Sequence, residues 1–174
     1  MRVTLMREMI PKKLGWKKDW PALIYLVLVC IGFFVIGYDF WKLQHLNFRL
    51  YILVVIGIVL ICIGGALRIT SRITLKKAGF NIVNSYKLQI VGGHRLITNG
   101  IYSRIRHPLY LGEMTRNLGF AILFSSLYGL VVMILANIFL ILRIGIEEKM
   151  LIAEFGSEYE EYKKKTKKLI PNLY

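Results

Sequence analysis

Residues 117–142 read NLGFAILFSSLYGLVVMILANIFLIL, and the fold turns on whether this run is one element or two. As one helix, an uncharged run this long would measure about 39 Å, well beyond the ~30 Å hydrocarbon core of a bilayer. Two forms fit: a single tilted span, or a helical hairpin broken at Ser125-Ser126-Leu127-Tyr128-Gly129, a turn-prone cluster. If the first arm begins at Leu109 and the second ends near Ile146, each arm has about 17 to 18 residues, near the lower limit for crossing.

Charge favours the hairpin. Lys and Arg number six in residues 1–19, two in 39–49, eight in 68–107, none in 125–129 and seven in 143–174. Cytosolic segments are the basic ones in membrane proteins, so this alternation predicts four spans with both termini cytosolic. A single tilted span would leave one basic terminus on the opposite side.

Outward from this run, residues 20–38 and 50–67 are uncharged stretches of 19 and 18 residues, each long enough to span. Gly57, Gly64 and Gly65 are expected to let a neighbouring helix approach closely. The predicted architecture is an all-α integral membrane protein: four transmembrane helices, the last two a hairpin, a cytosolic loop and amphipathic C-terminal helices. Its organisation is a basic N-terminus (1–19), two N-terminal spans (20–67), and a region carrying the hairpin, the loop and the tail (68–174). In the loop, residues 86–91, Gly92-Gly93 and residues 94–98 suggest a β-hairpin, followed by a turn at Thr98-Asn99-Gly100. Beyond Arg143, an amphipathic helix carries Met150, Leu151 and Phe155, with Gly156 as its cap. Ser157-Glu158-Tyr159-Glu160 then reads as a capping box for a last, lysine-rich helix.

Composition agrees. The chain has 174 residues, 56% hydrophobic and 20% charged, with a net charge of +14 and a mean hydropathy of +0.53. Its basic residues flank apolar runs, which argues against nucleic acid and for anionic lipid headgroups as their partner. Cys30 and Cys62 lie inside apolar runs without metal-ligand spacing, so no metal is expected. The first apolar run ends at Gly37-Tyr38-Asp39 without a small-x-small cleavage site and is long enough to span, so no cleavable signal is expected.

Three groups of residues can carry chemistry. Arg106-His107-Pro108-Leu109-Tyr110-Leu111-Gly112 runs from loop into the third span. Pro108 suits a first helical turn, which places His107 at a helix N-terminus, where anionic groups are favoured. Glu113 and Arg116 lie one turn apart at a depth where charge is costly. Arg143 and Glu147-Glu148 close the fourth span, and Arg143 can pair locally with Glu147 at i, i+4. In a hairpin both cytosolic ends meet, so His107 and Tyr110 would face Arg143 and Glu147. Such a pocket offers a carboxylate for an ammonium and an arginine for a carboxylate.

The motif Arg106-His107-Pro108-x-Tyr110-x-Gly112, then Glu147-Glu148, then Phe155-Gly156-x-Glu158-Tyr159-x-x-Tyr162, resembles the isoprenylcysteine carboxyl methyltransferase family. That family belongs to a wider group including phospholipid N-methyltransferases. The resemblance runs from about Gly93 to Pro171 and takes in His94-Arg95-Leu96-Ile97, Gly100-Ile101-Tyr102, Gly119 and Leu169-Ile170-Pro171. It implies S-adenosylmethionine-dependent methyl transfer to a lipophilic acceptor arriving from the bilayer. Carried over by motif, His107, Pro108, Tyr110 and Gly112 line the cofactor pocket, with His94, Leu96, Gly100 and Tyr102 approaching from the loop. Glu147 or Glu148 binds the cofactor's ammonium, and Arg143 orients the acceptor's carboxylate. Glu113 or Tyr110 matters if the acceptor is an amine or thiol that must lose a proton. Glu113 stands where the carboxyl methyltransferases are expected to carry an aromatic residue. An isoprenylcysteine-type carboxylate, a phospholipid or other lipophilic amine or thiol, and a non-enzymatic membrane scaffold are the readings that remain.

Overall fold

The computed structural model describes residues 12–13, 19–43, 51–78, 89–90 and 96–170. Its helices, in chain order, are α1 (Trp20–Leu43), α2 (Tyr51–Lys77), α3 (Pro108–Leu123), α4 (Leu127–Phe155) and α5 (Ser157–Lys165), with a 3₁₀ turn at Gly100–Ser103. Of these, α1 (over Trp20–Lys42), α2 and α4 are long and apolar enough to cross a membrane. Their outer faces stay apolar, with Phe34 75% exposed, as suits helices solvated by lipid. The chain is an integral membrane protein of helices.

The run at 117–142 is a hairpin. α3 ends at Leu123, and Ser125 takes a positive φ of 52° to reverse the chain. Ser126 then caps α4, its Oγ accepting from the Gly129 N–H at 2.9 Å and donating to the buried Asp39 carboxylate of α1 at 2.5 Å. Because Ser126 is the cap, Leu127, Tyr128 and Gly129 belong to the helix, and the turn is shorter than the cluster at 125–129 suggests.

α1 packs on α4, α2 on α3, and α3 on α4. The α2–α3 seam is built on glycines. A Cβ on Gly64 would stand 2.6 Å from the Gly112 carbonyl, and one on Gly112 would stand 2.7 Å from the Gly64 carbonyl. One heptad along, a Cβ on Gly119 would stand 3.0 Å from the Gly57 carbonyl, and one on Gly57 would stand 2.6 Å from the Leu123 backbone. The two helices therefore run antiparallel at backbone contact, an approach that only missing side chains permit. Gly65 is a correction: nothing lies within 4 Å of where its Cβ would be, because it sits 100° round the helix from Gly64.

Other boundaries also differ from expectation. α2 continues past Leu67 to Lys77, so Arg68 and Arg72 are helical and the loop is shorter. The fourth span and the amphipathic helix after Arg143 are one continuous α4. Gly156, at φ 52°, both ends α4 and caps α5, so Ser157 lies inside the helix and no capping box forms. In the expected β-hairpin, Gln89–Ile90 pairs antiparallel with Lys12–Lys13 instead, and residues 96–98 form no strand. The Gly92-Gly93 turn and His94 lie outside the described residues.

The seam gives a paired test. Gly64→Ala should destabilise the detergent-solubilised protein by about 1–3 kcal/mol through overpacking. Gly65→Ala, with open space around it, should change stability by less than about 0.5 kcal/mol. Equal thermal midpoints for the two variants would show that the seam is not close-packed.

Candidate active site

The strand-like segment before α3 is held by the end of the chain. The Arg106 N–H donates to the Lys167 carbonyl at 2.8 Å, His107 N–H to the Lys168 carbonyl at 3.1 Å, and Lys167 N–H to the Arg104 carbonyl at 3.1 Å. Ile105 and Lys167 thus form a parallel bridge. Leu169 follows into a core with Met114, Leu140 and Ile144, which anchors the tail on the hairpin. The Arg106 side chain completes the clasp. Its Nη1 donates to the Thr166 carbonyl at 2.5 Å and the Lys163 carbonyl at 3.2 Å, while Nε donates to Glu148 Oε1 at 2.9 Å.

Glu148 is therefore a hub. Besides Arg106, its carboxylate meets Lys168 Nζ at 3.5 Å and His107 Nε2 at 3.4 Å. One buried carboxylate draws the loop, the tail and α4 together, satisfying each charge with another. Arg106 carries no assigned role in the sequence, and Lys168, expected on a headgroup-binding face with the other tail lysines, turns instead to Glu148. Arg106 stands inside the motif, but its partners lie 42 or more residues away. α5 adds a second tie: Tyr162 O–H donates to the Tyr102 carbonyl at 2.6 Å. Burial pushes the Tyr162 phenol up to about 12 against the pull of Arg106, so it remains a hydrogen-bond donor.

Beside this clasp lies the pocket. Pro108 occupies the first turn of α3, and His107 stands before it, 4% exposed. His107 Nδ1 is 3.8 Å from Glu147 Oε2, and its ring lies 5.8 Å from the Tyr110 ring. The Arg143 guanidinium sits 5.8 Å from the centre of the Tyr110 ring, within cation–π range. His107, Tyr110, Arg143 and Glu147 thus meet at one end of the hairpin. Glu147 is half-buried, and its Oε2 is enclosed without a hydrogen-bond donor among the described residues. A buried carboxylate oxygen in that condition suits a cationic ligand that brings its own N–H donors.

Arg143 departs from the local pairing expected. Its partner is Asp19, from the residue just before α1, bound through Nε and Nη2 at 2.9 Å each. Nothing in the sequence reading singled out Asp19, which is 124 positions away from Arg143.

The remaining candidates fall elsewhere. Glu113 accepts from the Tyr25 hydroxyl at 2.9 Å and pairs with Arg116 Nη2 at 2.6 Å and with Arg68. Asn117 Nδ2 donates to the Tyr25 hydroxyl at 2.8 Å, so the network joins α1, α2 and α3. Gly112 lies in the α2–α3 seam against Gly64 and Arg68. Gly100, at φ 59°, packs against Thr74 of α2. Tyr102 is buried, and burial together with the Glu147 charge raises its phenol well above the ordinary tyrosine range. Leu96 is half-buried ahead of the turn. Among the described residues no cluster of His, Cys, Asp and Glu could hold a metal.

The chain is similar to known proteins in sequence and in fold. The Xenopus laevis protein-S-isoprenylcysteine O-methyltransferase is 37% identical over 118 residues, which is 67% of this chain and 40% of that one. The Saccharomyces cerevisiae protein of the same name is 36% identical over 118 residues, 67% of this chain and 48% of that one. The chain thus spans less than half the length of these curated relatives. A solved eukaryotic intramembrane Ras methyltransferase, isoprenylcysteine carboxyl methyltransferase, superposes with a TM-score of 0.68 at 25% identity, covering 86% of this chain and 52% of that structure. Residues 52–158 match the phospholipid methyltransferase family, and with well over half its length so matched the chain belongs to that family.

Proposed function

We propose that this protein transfers a methyl group from S-adenosylmethionine to a lipophilic acceptor at the cytosolic membrane face, the acceptor being an isoprenylcysteine-type carboxylate. The observation that carries this reading is the pairing of opposite charges in one pocket. Glu147 and Arg143 stand one helical turn apart on α4, Glu147 beside His107 and Arg143 over the Tyr110 ring. S-adenosylmethionine supplies, when bound, a methyl group on a sulfonium, whose C–S electron pair stays with sulfur as the methyl leaves. Its residues fit: Glu147, with an enclosed oxygen lacking a donor, would hold the ammonium, and His107, Pro108 and Tyr110 would wall the site. Glu148 is already shared by Arg106, Lys168 and His107, so the ammonium role falls to Glu147.

Arg143 would orient the acceptor carboxylate. A carboxylate is ionised at neutral pH and needs no base, so the protein's task is to position it and exclude water. An amine or thiol acceptor would have to lose a proton. Glu113 is poorly placed for that work, since Tyr25, Arg68 and Arg116 all engage it. This favours the carboxylate over the phospholipid-amine alternative that the family also covers. The names of the relatives, which act on protein S-isoprenylcysteine, support the same choice.

The same proposal includes the topology. α3, with 16 residues and about 24 Å, is a short fourth span, its charged groups paired inside the bundle. Both termini are then cytosolic. The catalytic region comprises residues 68–174 with Asp19 added. The exposed lysines of the tail, Lys164, Lys165 and Lys167, meet anionic headgroups, and the acceptor enters from the bilayer.

Calorimetry on detergent-purified protein should detect S-adenosylhomocysteine binding that weakens about tenfold or more in Glu147→Ala, as expected for losing a charged hydrogen bond. Glu154→Ala, exposed on α4, should bind as the parent does. Absence of binding to the parent protein would overturn the enzyme reading.

With labelled cofactor, a farnesylcysteine analogue should yield a base-labile ester, whereas phosphatidylethanolamine should yield little base-stable amine. Arg143→Ala should reduce ester formation by about a hundredfold, the scale of a lost bidentate charge pair. Ester formation that survives in Arg143→Ala would refute the carboxylate-holding role.

A further inference from the structure

The Arg143 guanidinium already holds a carboxylate. Asp19 takes it in a bidentate pair, Nε to Oδ1 and Nη2 to Oδ2, both 2.9 Å. This is the geometry by which an arginine fork grips any carboxylate. The Arg143 side chain is 11% exposed and that of Asp19 17%. A guanidinium so enclosed is costly to leave without an anion. Asp19 meets that need from the chain end of α1, where its own carbonyl accepts the Ala22 N–H. Its backbone therefore belongs to the first turn of α1 while its carboxylate reaches across to α4.

We propose that Asp19 is a specificity-determining residue, an internal carboxylate that occupies Arg143 until an acceptor carboxylate displaces it and that returns once the product is a neutral ester. The proposal rests on the reading above, in which Arg143 holds the acceptor. A substrate acid exchanges one carboxylate for another, so Arg143 never stands buried and unpaired. An ester, an amide or an amine headgroup offers no anion and cannot displace Asp19. The device thus discriminates by charge at a single atom group, and it favours release of the methylated product over the unmethylated acid.

The test compares a free-acid prenylcysteine analogue with its methyl ester, by calorimetric binding in the presence of S-adenosylhomocysteine. Asp19→Asn, which removes the competing charge, should tighten binding of the acid by roughly threefold to tenfold, the range of one partly exposed ion pair, and leave the ester unchanged. Acid binding that is unchanged or weaker relative to the ester overturns the proposal and makes Asp19 a positioning residue. A second measurement leaves the pair intact. With Trp16 and Trp41 replaced by Phe, the emission of Trp20, next to Asp19, should shift on adding the acid and stay constant on adding the ester. No shift with the acid also overturns the proposal. Failure of the underlying reading looks different: Arg143→Ala would then keep the parent's preference for acid over ester.

Discussion

A hairpin with arms of equal length brings the charged groups of the site to one end. From Leu127 to Leu142 the second arm runs for the same length as α3, about 24 Å in each case. Arg143, just past the second arm, and His107, just before the first, therefore emerge at one level. The turn at the far end is fastened by Ser126, which caps α4 and donates to the buried Asp39. The glycine seam then holds α2 against α3 at backbone contact. With these fixed, α4 can continue past Arg143 and present Glu147 and Glu148 to the loop that leads into α3.

Two adjacent carboxylates end up with different work because they point to different neighbours. Glu148 is enclosed by Arg106, Lys168 and His107 and binds the loop and tail to α4. Glu147, one position along, faces His107 and Tyr110 with an oxygen that has no donor among the described residues. A structural ion network thus stands directly beside the carboxylate proposed to hold the cofactor's ammonium. The Glu113 network does the same one turn deeper, joining three helices through Tyr25, Arg68 and Arg116. Charge inside a membrane protein is tolerated when it is paired in this way.

Hydropathy and charge made the hairpin legible, because a helix of 26 uncharged residues overruns a bilayer and the turn cluster carries no base. The place of Pro108 and the meeting of His107 with Glu147 followed from it. Helix ends were less legible. Arg68 looks like the end of a span by its charge, yet the helix continues because Glu113 on α3 neutralises it. Arg143 looked satisfied by Glu147 four residues on, since local spacing is all that a sequence displays. Its partner Asp19 comes from the far end of the chain and has no spacing to reveal it. The tail's grip on Arg104–His107 is made by backbone groups, which leave no side-chain signature. Gly64 and Gly65 read alike in sequence, and only the phase of α2 against α3 separates them.

The claim on which the site depends is that the Ser125 turn and the Glu147 end of the hairpin lie on opposite sides of the membrane. Substituted-cysteine labelling tests it directly. Cys30 and Cys62 would be replaced by Ala, and single cysteines placed at Ser125 and at Glu158. Sealed vesicles of known orientation would then meet a membrane-impermeant maleimide. Opposite-side labelling is the expected result, with position 158 on the cytosolic side. Labelling of both positions from one side would contradict the hairpin topology and, with it, the cytosolic pocket.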